Sequence, residues 1–232
     1  MQNNYKKNEW NKSYKNKDNY MFYPEENVIR FISKYIKKRT GLDGFISLNP
    51  SLTNVKVLDF GCGIGRHVIT LNEFNIDGYG FDLSNEAINT AKENFMKLGL
   101  PKLIDKVIVA DILNLPYDDN FFDFMLSHGV IDSMPYEIAK NGLLELSRCL
   151  KEDGKVYLDL ISEIGHSCND DNFEQTIQTN HERNTIQTYF NEDRINDLIE
   201  NIFEIEEIIL KNKIDITNNT THGRYHIVLK KV

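Results

Sequence analysis

Cysteine is scarce in this chain of 232 residues, and the three present, Cys62, Cys149 and Cys168, are scattered and odd in number. No Cys-x-x-Cys pair occurs, so the common zinc frameworks are excluded and no metal site is expected. So few thiols fit a reducing compartment, and a cytoplasmic location is expected. The opening residues Met1-Gln2-Asn3-Asn4-Tyr5-Lys6-Lys7 lack the apolar core of a secretion signal. No apolar run approaches the length that spans a bilayer, so no membrane partner is expected. Basic excess is missing too. The net charge of −8 lacks the basic footprint that nucleic-acid binding needs, so nucleic acid is not an expected partner.

That charge is uneven. Residues 1–40 carry ten Lys/Arg against four Asp/Glu, a net of +6, which leaves the remainder at −14. A basic start of this kind is either a solvated helix face or an attraction for an anionic substrate. No internal repeat is evident, and the length suits one α/β domain with a few insertions.

What is present is organised around Val55-Lys56-Val57-Leu58-Asp59-Phe60-Gly61-Cys62-Gly63-Ile64-Gly65-Arg66. Val55, Val57, Leu58 and Phe60 read as a parallel strand covered on both faces. Gly61, Gly63 and Gly65 allow positive φ and let a ligand approach the main chain. A helix from about Arg66 then offers unpaired N–H groups and the positive end of its dipole. The dinucleotide fingerprint wants glycine at the position of Arg66, and it lacks an acid such as Asp59 in front, where a carboxylate would repel a pyrophosphate.

Two further strands end in acids. Gly78–Phe81 runs into Asp82-Leu83-Ser84, about twenty residues past the loop, where a carboxylate can accept from both ribose hydroxyls. Alternatively Asp82 caps the helix from about Asn85 to Leu98, a role Ser84 can fill alone. Val107–Ala110 runs into Asp111-Ile112. The acid before Gly-x-Gly-x-Gly, with Asp82 and Asp111, resembles the class I S-adenosylmethionine-dependent methyltransferases of small-molecule type. The resemblance covers about residues 25–232 and is strongest over 55–132. It implies S-adenosyl-L-methionine as cofactor, with S-adenosyl-L-homocysteine as product. It implies cofactor contacts from Asp59, Gly61, Cys62, Gly63, Gly65, Asp82, Leu83, Asp111, Ile112 and Ser127. Asp59 would help to place the ammonium group, and Asp111 would accept from the adenine amine. Cys62 reads as packing rather than as a nucleophile.

The expected fold class is α/β: one doubly wound, seven-stranded, mostly parallel sheet with an antiparallel C-terminal hairpin and helices on both faces. Residues 1–24 are polar but dotted with Tyr5, Trp10, Tyr14, Tyr20, Phe22 and Tyr23, too aromatic for a disordered tail. They either dock on the core or form a lid, as the resemblance implies. A helix is expected over Glu25–Lys38, closed by Gly41, with a connector over 42–54. Helices follow from Arg66 to about Phe74, over Tyr136–Leu150 and over Glu192–Asn201. Strands are expected at Phe121–Leu126 and at Lys155–Ile161 after a Gly154 turn. The last two strands are Phe203–Leu210 and Arg224–Lys230, linked through Asn212–Gly223. An insertion over about 162–190 is a substrate loop or a disordered segment.

Strand four ends in Ser127-His128-Gly129, beside the reactive sulfonium in the resembled fold. His128 is the candidate catalytic base, since imidazole titrates near neutrality, or it packs, or it orients the acceptor. Tyr23, His166 and Tyr225 are the candidate substrate contacts, and His166, Tyr225 and His226 are reserve bases. Asp159 falls near the substrate mouth or faces a helix. No Asn-Pro-Pro-Tyr follows strand four, which speaks against nucleobase amines. The expected partner is a small polar molecule, an anionic one included, methylated at oxygen or nitrogen. The aromatic lead-in resembles enzymes that act on bacterial surface-glycan precursors. A non-catalytic S-adenosylmethionine-binding partner protein and a nicotinamide-dependent oxidoreductase are the rival readings.

Overall fold

The computed structural model describes residues 3–18, 20–165, 173–178 and 183–232. Helix α1 (Asn3–Asn16) leads to α2 (Glu26–Phe31), which Ile32–Ile36 extends as a π turn, and then to the short strands β1 (Lys37–Arg39) and β2 (Phe45–Ser47). Strand β3 (Lys56–Phe60), helix α3 (Arg66–Glu73), strand β4 (Asp77–Asp82), helix α4 (Asn85–Lys97) and strand β5 (Val107–Val109) form the first half of the main sheet. Strand β6 (Phe122–Leu126), helix α5 (Tyr136–Cys149) and strand β7 (Leu150–Ile161) follow. A small hairpin of β8 (Glu174–Thr176) and β9 (Ile186–Thr188) precedes helix α6 (Glu192–Ile199) and the long hairpin β10 (Phe203–Asp215) and β11 (Thr220–Lys231).

The main sheet has seven strands in the order β10-β11-β7-β6-β3-β4-β5. The contacts between β7, β6, β3, β4 and β5 are parallel, while β11 is antiparallel to both β7 and β10. Successive residues of a strand face opposite ways, and the sequence fills both faces. Leu58, Phe60, Met125, Leu158 and Leu160 pack with Leu143 and Leu146 of α5 and with Ile195 and Leu198 of α6. Val57, Phe124, Leu126, Tyr157 and Val228 pack with Val28 and Phe31 of α2 and Leu71 of α3. Helices therefore cover both sides, and the central strands end together along one rim.

Four boundaries differ from the sequence reading. The helix expected over Glu25–Lys38 stops at Ile36, and Lys37–Arg39 pair with Phe45–Ser47 instead, so Gly41 sits between two strands rather than closing a helix. Strand β7 starts at Leu150, not after Gly154. Phe122 pairs with Leu150 and Phe124 with Lys155, so residues 151–154 bulge opposite Asp123 with Asp153 at φ 60°. The segment Asn212–Gly223 is mostly strand, and the turn itself is only 216–219. The strand expected to reach Ala110 ends at Val109.

Candidate functional site

A cavity of about 600 Å³ opens along the rim where the strands end, a size ordinary for a small-molecule site. The glycine loop forms one wall. Gly61 and Gly63 line it at φ 68° and 53°, and a Cβ on Gly61 would fall 2.4 Å from Val130 Cγ2. Gly65, at φ 81°, is turned elsewhere: a Cβ there would meet Phe95 Cζ at 2.6 Å. It lets α3 approach α4 and does not line the cavity. Cys62 lines the cavity and is buried, and burial pushes its thiol well above the ordinary range, as suits packing.

Asp82 lies at the end of β4 and is buried. Its Oδ2 accepts from Gly63 N at 2.9 Å and its Oδ1 from Ser84 N at 2.8 Å. Burial pushes its pKa up to about 6, and the two main-chain donors hold that rise back. The cap of α4 is Ser84, whose Oγ accepts from Ala87 N at 3.2 Å. Asp82 is thus not the helix cap; it ties loop to strand and still faces the cavity. Leu83, Asp111 and Ile112 line the same region, and Asp111 Oδ1 accepts from Leu113 N at 3.1 Å.

Asp59 stands one layer behind the lining. Its Oδ1 is 3.3 Å from Nδ1 of His67, a lining residue that the sequence reading did not select. Glu25 N donates to His67 Nε2 at 3.3 Å. A main-chain N–H can only donate, so the His67 proton sits on Nδ1 and is shared with Asp59. Asp59 Oδ2 is buried with no partner among the described residues. Ser127 is buried as well. Its Oγ donates to Phe60 O at 2.8 Å, joining β6 to β3, and it does not line the cavity.

His128, Gly129, Val130, Ser133 and Arg224 line the same cavity. His128 Nδ1 lies 2.7 Å from Asp159 Oδ2. Asp159 Oδ1 accepts from Gly129 N at 2.8 Å. Arg224 Nη1 donates to Asp159 Oδ2 at 2.7 Å and to Asp132 Oδ2 at 2.9 Å. Asp132 and Asp159 are both buried. Burial drives both carboxyls upward. At Asp159 the His128 contact and the Arg224 guanidinium outweigh it and the net direction is down, whereas at Asp132 burial wins over Arg224. Two buried acids need a cation, and the register of β11 on β7, which pairs Arg224 with Ile161, brings Arg224 to them; the sequence reading did not select it.

The remaining substrate candidates lie elsewhere. Tyr23 is 80% exposed, outside the cavity lining, and its carbonyl accepts from Arg66 Nη1 at 3.1 Å. Tyr225 is buried in the core that holds Phe190 and Ile195, because it alternates with Arg224 along β11. His226 is buried with Nδ1 2.9 Å from Tyr157 Oη, and burial lowers its pKa. His166 lies outside the described residues.

Helix α1 and the segment after it close the cavity from above. Trp10, Tyr14, Tyr20 and Met21 line it. Asn11 Oδ1 accepts from Ser84 Oγ at 2.7 Å and from Glu86 N at 3.3 Å, fixing α1 to the start of α4. The Tyr14 hydroxyl sits over Gly63, 2.7 Å from where a Cβ would be, and burial and Asp82 push its pKa well up.

A family model described as a methyltransferase domain matches residues 51–206. An uncharacterised protein of Haemophilus influenzae is 30% identical over 112 residues, 48% of this chain and 44% of that one. The chain spans about half or less of the length of the first curated relatives it matches. A SAM-dependent methyltransferase structure from Methanosarcina mazei superposes with a TM-score of 0.66 at 22% identity, covering 80% of this chain and 96% of that one. A phosphoethanolamine N-methyltransferase of Haemonchus contortus, solved with phosphomonomethylethanolamine and S-adenosylhomocysteine, gives 0.60 at 16% identity, covering 89% and 52%. The family model takes in about two thirds of the residues, the sheet agrees with it, and the chain belongs to the class I S-adenosylmethionine-dependent methyltransferases.

Proposed function

We propose that this chain moves a methyl group to an oxygen or nitrogen of a small polar metabolite held in the cavity. The residues present fit S-adenosyl-L-methionine. The buried, unpartnered Asp59 Oδ2, one layer behind the lining, suits a cofactor ammonium group, and Gly61 and Gly63 line the cavity. Asp82 would accept from the ribose hydroxyls with lone pairs its main-chain donors leave free, and Leu83, Asp111 and Ile112 would hold the base. Bound there, the cofactor supplies an electrophilic methyl group.

The observation that carries this reading is that one cavity is lined by the glycine loop, Asp82 and His128 together. His128 faces Asp159 through Nδ1, so its Nε2 is the nitrogen left to accept a proton from an acceptor hydroxyl. Asp159 acts through His128 by its charge, 2.7 Å from Nδ1, which favours a proton on that nitrogen. An amine acceptor needs only to be uncharged and aligned, and alignment supplies most of the acceleration in either case. Trp10 and Tyr14 over the opening exclude water and act as the lid. The phosphorylated acceptor of the H. contortus enzyme belongs to the polar class proposed here.

The test has two parts. A thermal-shift panel should show stabilisation by S-adenosylhomocysteine and none by NADH. A screen of sugars, amines and phosphorylated metabolites should then release S-adenosylhomocysteine. Binding without release across the whole panel would overturn the enzymatic reading in favour of a non-catalytic binding partner.

A further inference from the structure

We infer that Arg224 is an oxyanion fork, and that the methyl acceptor is an amphipathic acid carrying a carboxylate or phosphate monoester on an apolar body. This rests on the small-molecule reading above and narrows its substrate class.

The guanidinium has five N–H donors: two on Nη1, two on Nη2 and one on Nε. Both ion contacts of Arg224, to Asp132 Oδ2 and Asp159 Oδ2, come from Nη1. That uses the two Nη1 hydrogens and leaves the Nε–Nη2 edge without a partner among the described residues. The side chain is 28% exposed and lines the cavity. The Nε–Nη2 edge is a geometry that takes a carboxylate or phosphate through two parallel hydrogen bonds. Asp132 and Asp159 are themselves fixed, by Ile161 N at 2.9 Å and Gly129 N at 2.8 Å, so the fork is held in place before any ligand arrives.

The two carboxylates oppose an incoming anion, and distance settles the competition. They sit on the Nη1 side, so an oxyanion on the other edge touches the guanidinium directly and is farther from either acid. Apolar walls are present as well: Val130, Met134, Pro135, Ile138, Trp10 and Met21 all line the cavity. An oxyanion at Arg224 and an apolar body between those walls fill both kinds of surface.

The experiment uses the full chain saturated with S-adenosylhomocysteine and three probes of similar size: phenyl phosphate, benzoate and neutral benzyl alcohol. By calorimetry the two anions should bind about tenfold tighter than the alcohol or better. Arg224→Lys keeps a cation against the two acids but removes the fork. It should erase the preference while the affinities for benzyl alcohol and S-adenosylhomocysteine stay as they were. Absence of an anion preference, or its persistence in R224K, overturns the inference. Should R224K fail to fold, a phenyl phosphate soak of the native chain decides: phosphate oxygens on Nε and Nη2 support the inference, and any other position refutes it. Failure of S-adenosylhomocysteine to bind the native chain would instead bring down the cofactor reading itself.

Discussion

Asp82 shows how much one buried carboxyl can shape the behaviour of this protein. Its pKa of about 6 in the fold stands above the ordinary 3.8, so folding favours its protonated form. Stability from this group is fully present below the unfolded value and is lost as pH rises through about 6, roughly 2–3 kcal/mol in all. Asp82→Asn should flatten the stability profile between about pH 4 and pH 6, as read by denaturant titration at each pH. For the cofactor the same carboxylate works in the other direction. Asp82→Ala should weaken S-adenosylhomocysteine binding by about 1–3 kcal/mol in calorimetry, and unchanged affinity would remove the ribose assignment. His128→Ala should lower turnover of a hydroxyl acceptor by about 10²-fold or more, and Asp159→Asn should do so with a shifted pH–rate profile. Full activity in H128A would end its role as base. Asp82, Asp111 and His128 were legible in the sequence because each ends an apolar strand. Arg224, His67 and the burial of Tyr225 were not, because their surroundings come from other strands and helices.

At the level of elements, α1 is joined to the body by a few polar contacts at its own side chains. Asn11 bridges Ser84 and Glu86, and in the segment after the helix Tyr20 Oη donates to Asn94 Oδ1 at 3.4 Å. Asn11→Ala removes the bridge at a cost of about 1 kcal/mol of docking. S-adenosylhomocysteine should then dissociate several-fold faster in stopped-flow measurements, with the melting temperature of the ligand-free chain nearly unchanged. An unaltered off-rate would mean that α1 does not gate the cavity. The aromatic spacing of residues 1–24 foretold an ordered segment; its partners on α4 could not be read from it. The helix expected over Glu25–Lys38 was cut short for a similar reason. Its apolar period is sound as far as Ile36, but Lys37–Arg39 gain strand partners from Phe45–Ser47, and Lys37 Nζ donates to Asn75 O at 2.6 Å. Non-local pairing overrode local periodicity.

Across the whole molecule, a basic first 40 residues lie on an acidic remainder. Lys34 pairs with Glu207, and Lys6 Nζ donates to Asn184 O at 2.7 Å. The Lys34–Glu207 pair is exposed, so it contributes little by itself and is screened by salt. Raising ionic strength from about 0.05 M to about 1 M should therefore speed S-adenosylhomocysteine release, and a rate independent of salt would show that the charge asymmetry plays no part in closure. The sequence by itself determined the α/β class, the strand–glycine–helix cradle and the three strand-end acids, since apolar period, turn chemistry and acid placement are local along the chain. Only the tertiary structure decided which side chains share the cavity. Burial, the register of β11 on β7 and the docking of α1 join residues far apart in sequence, and no local pattern encodes those distances.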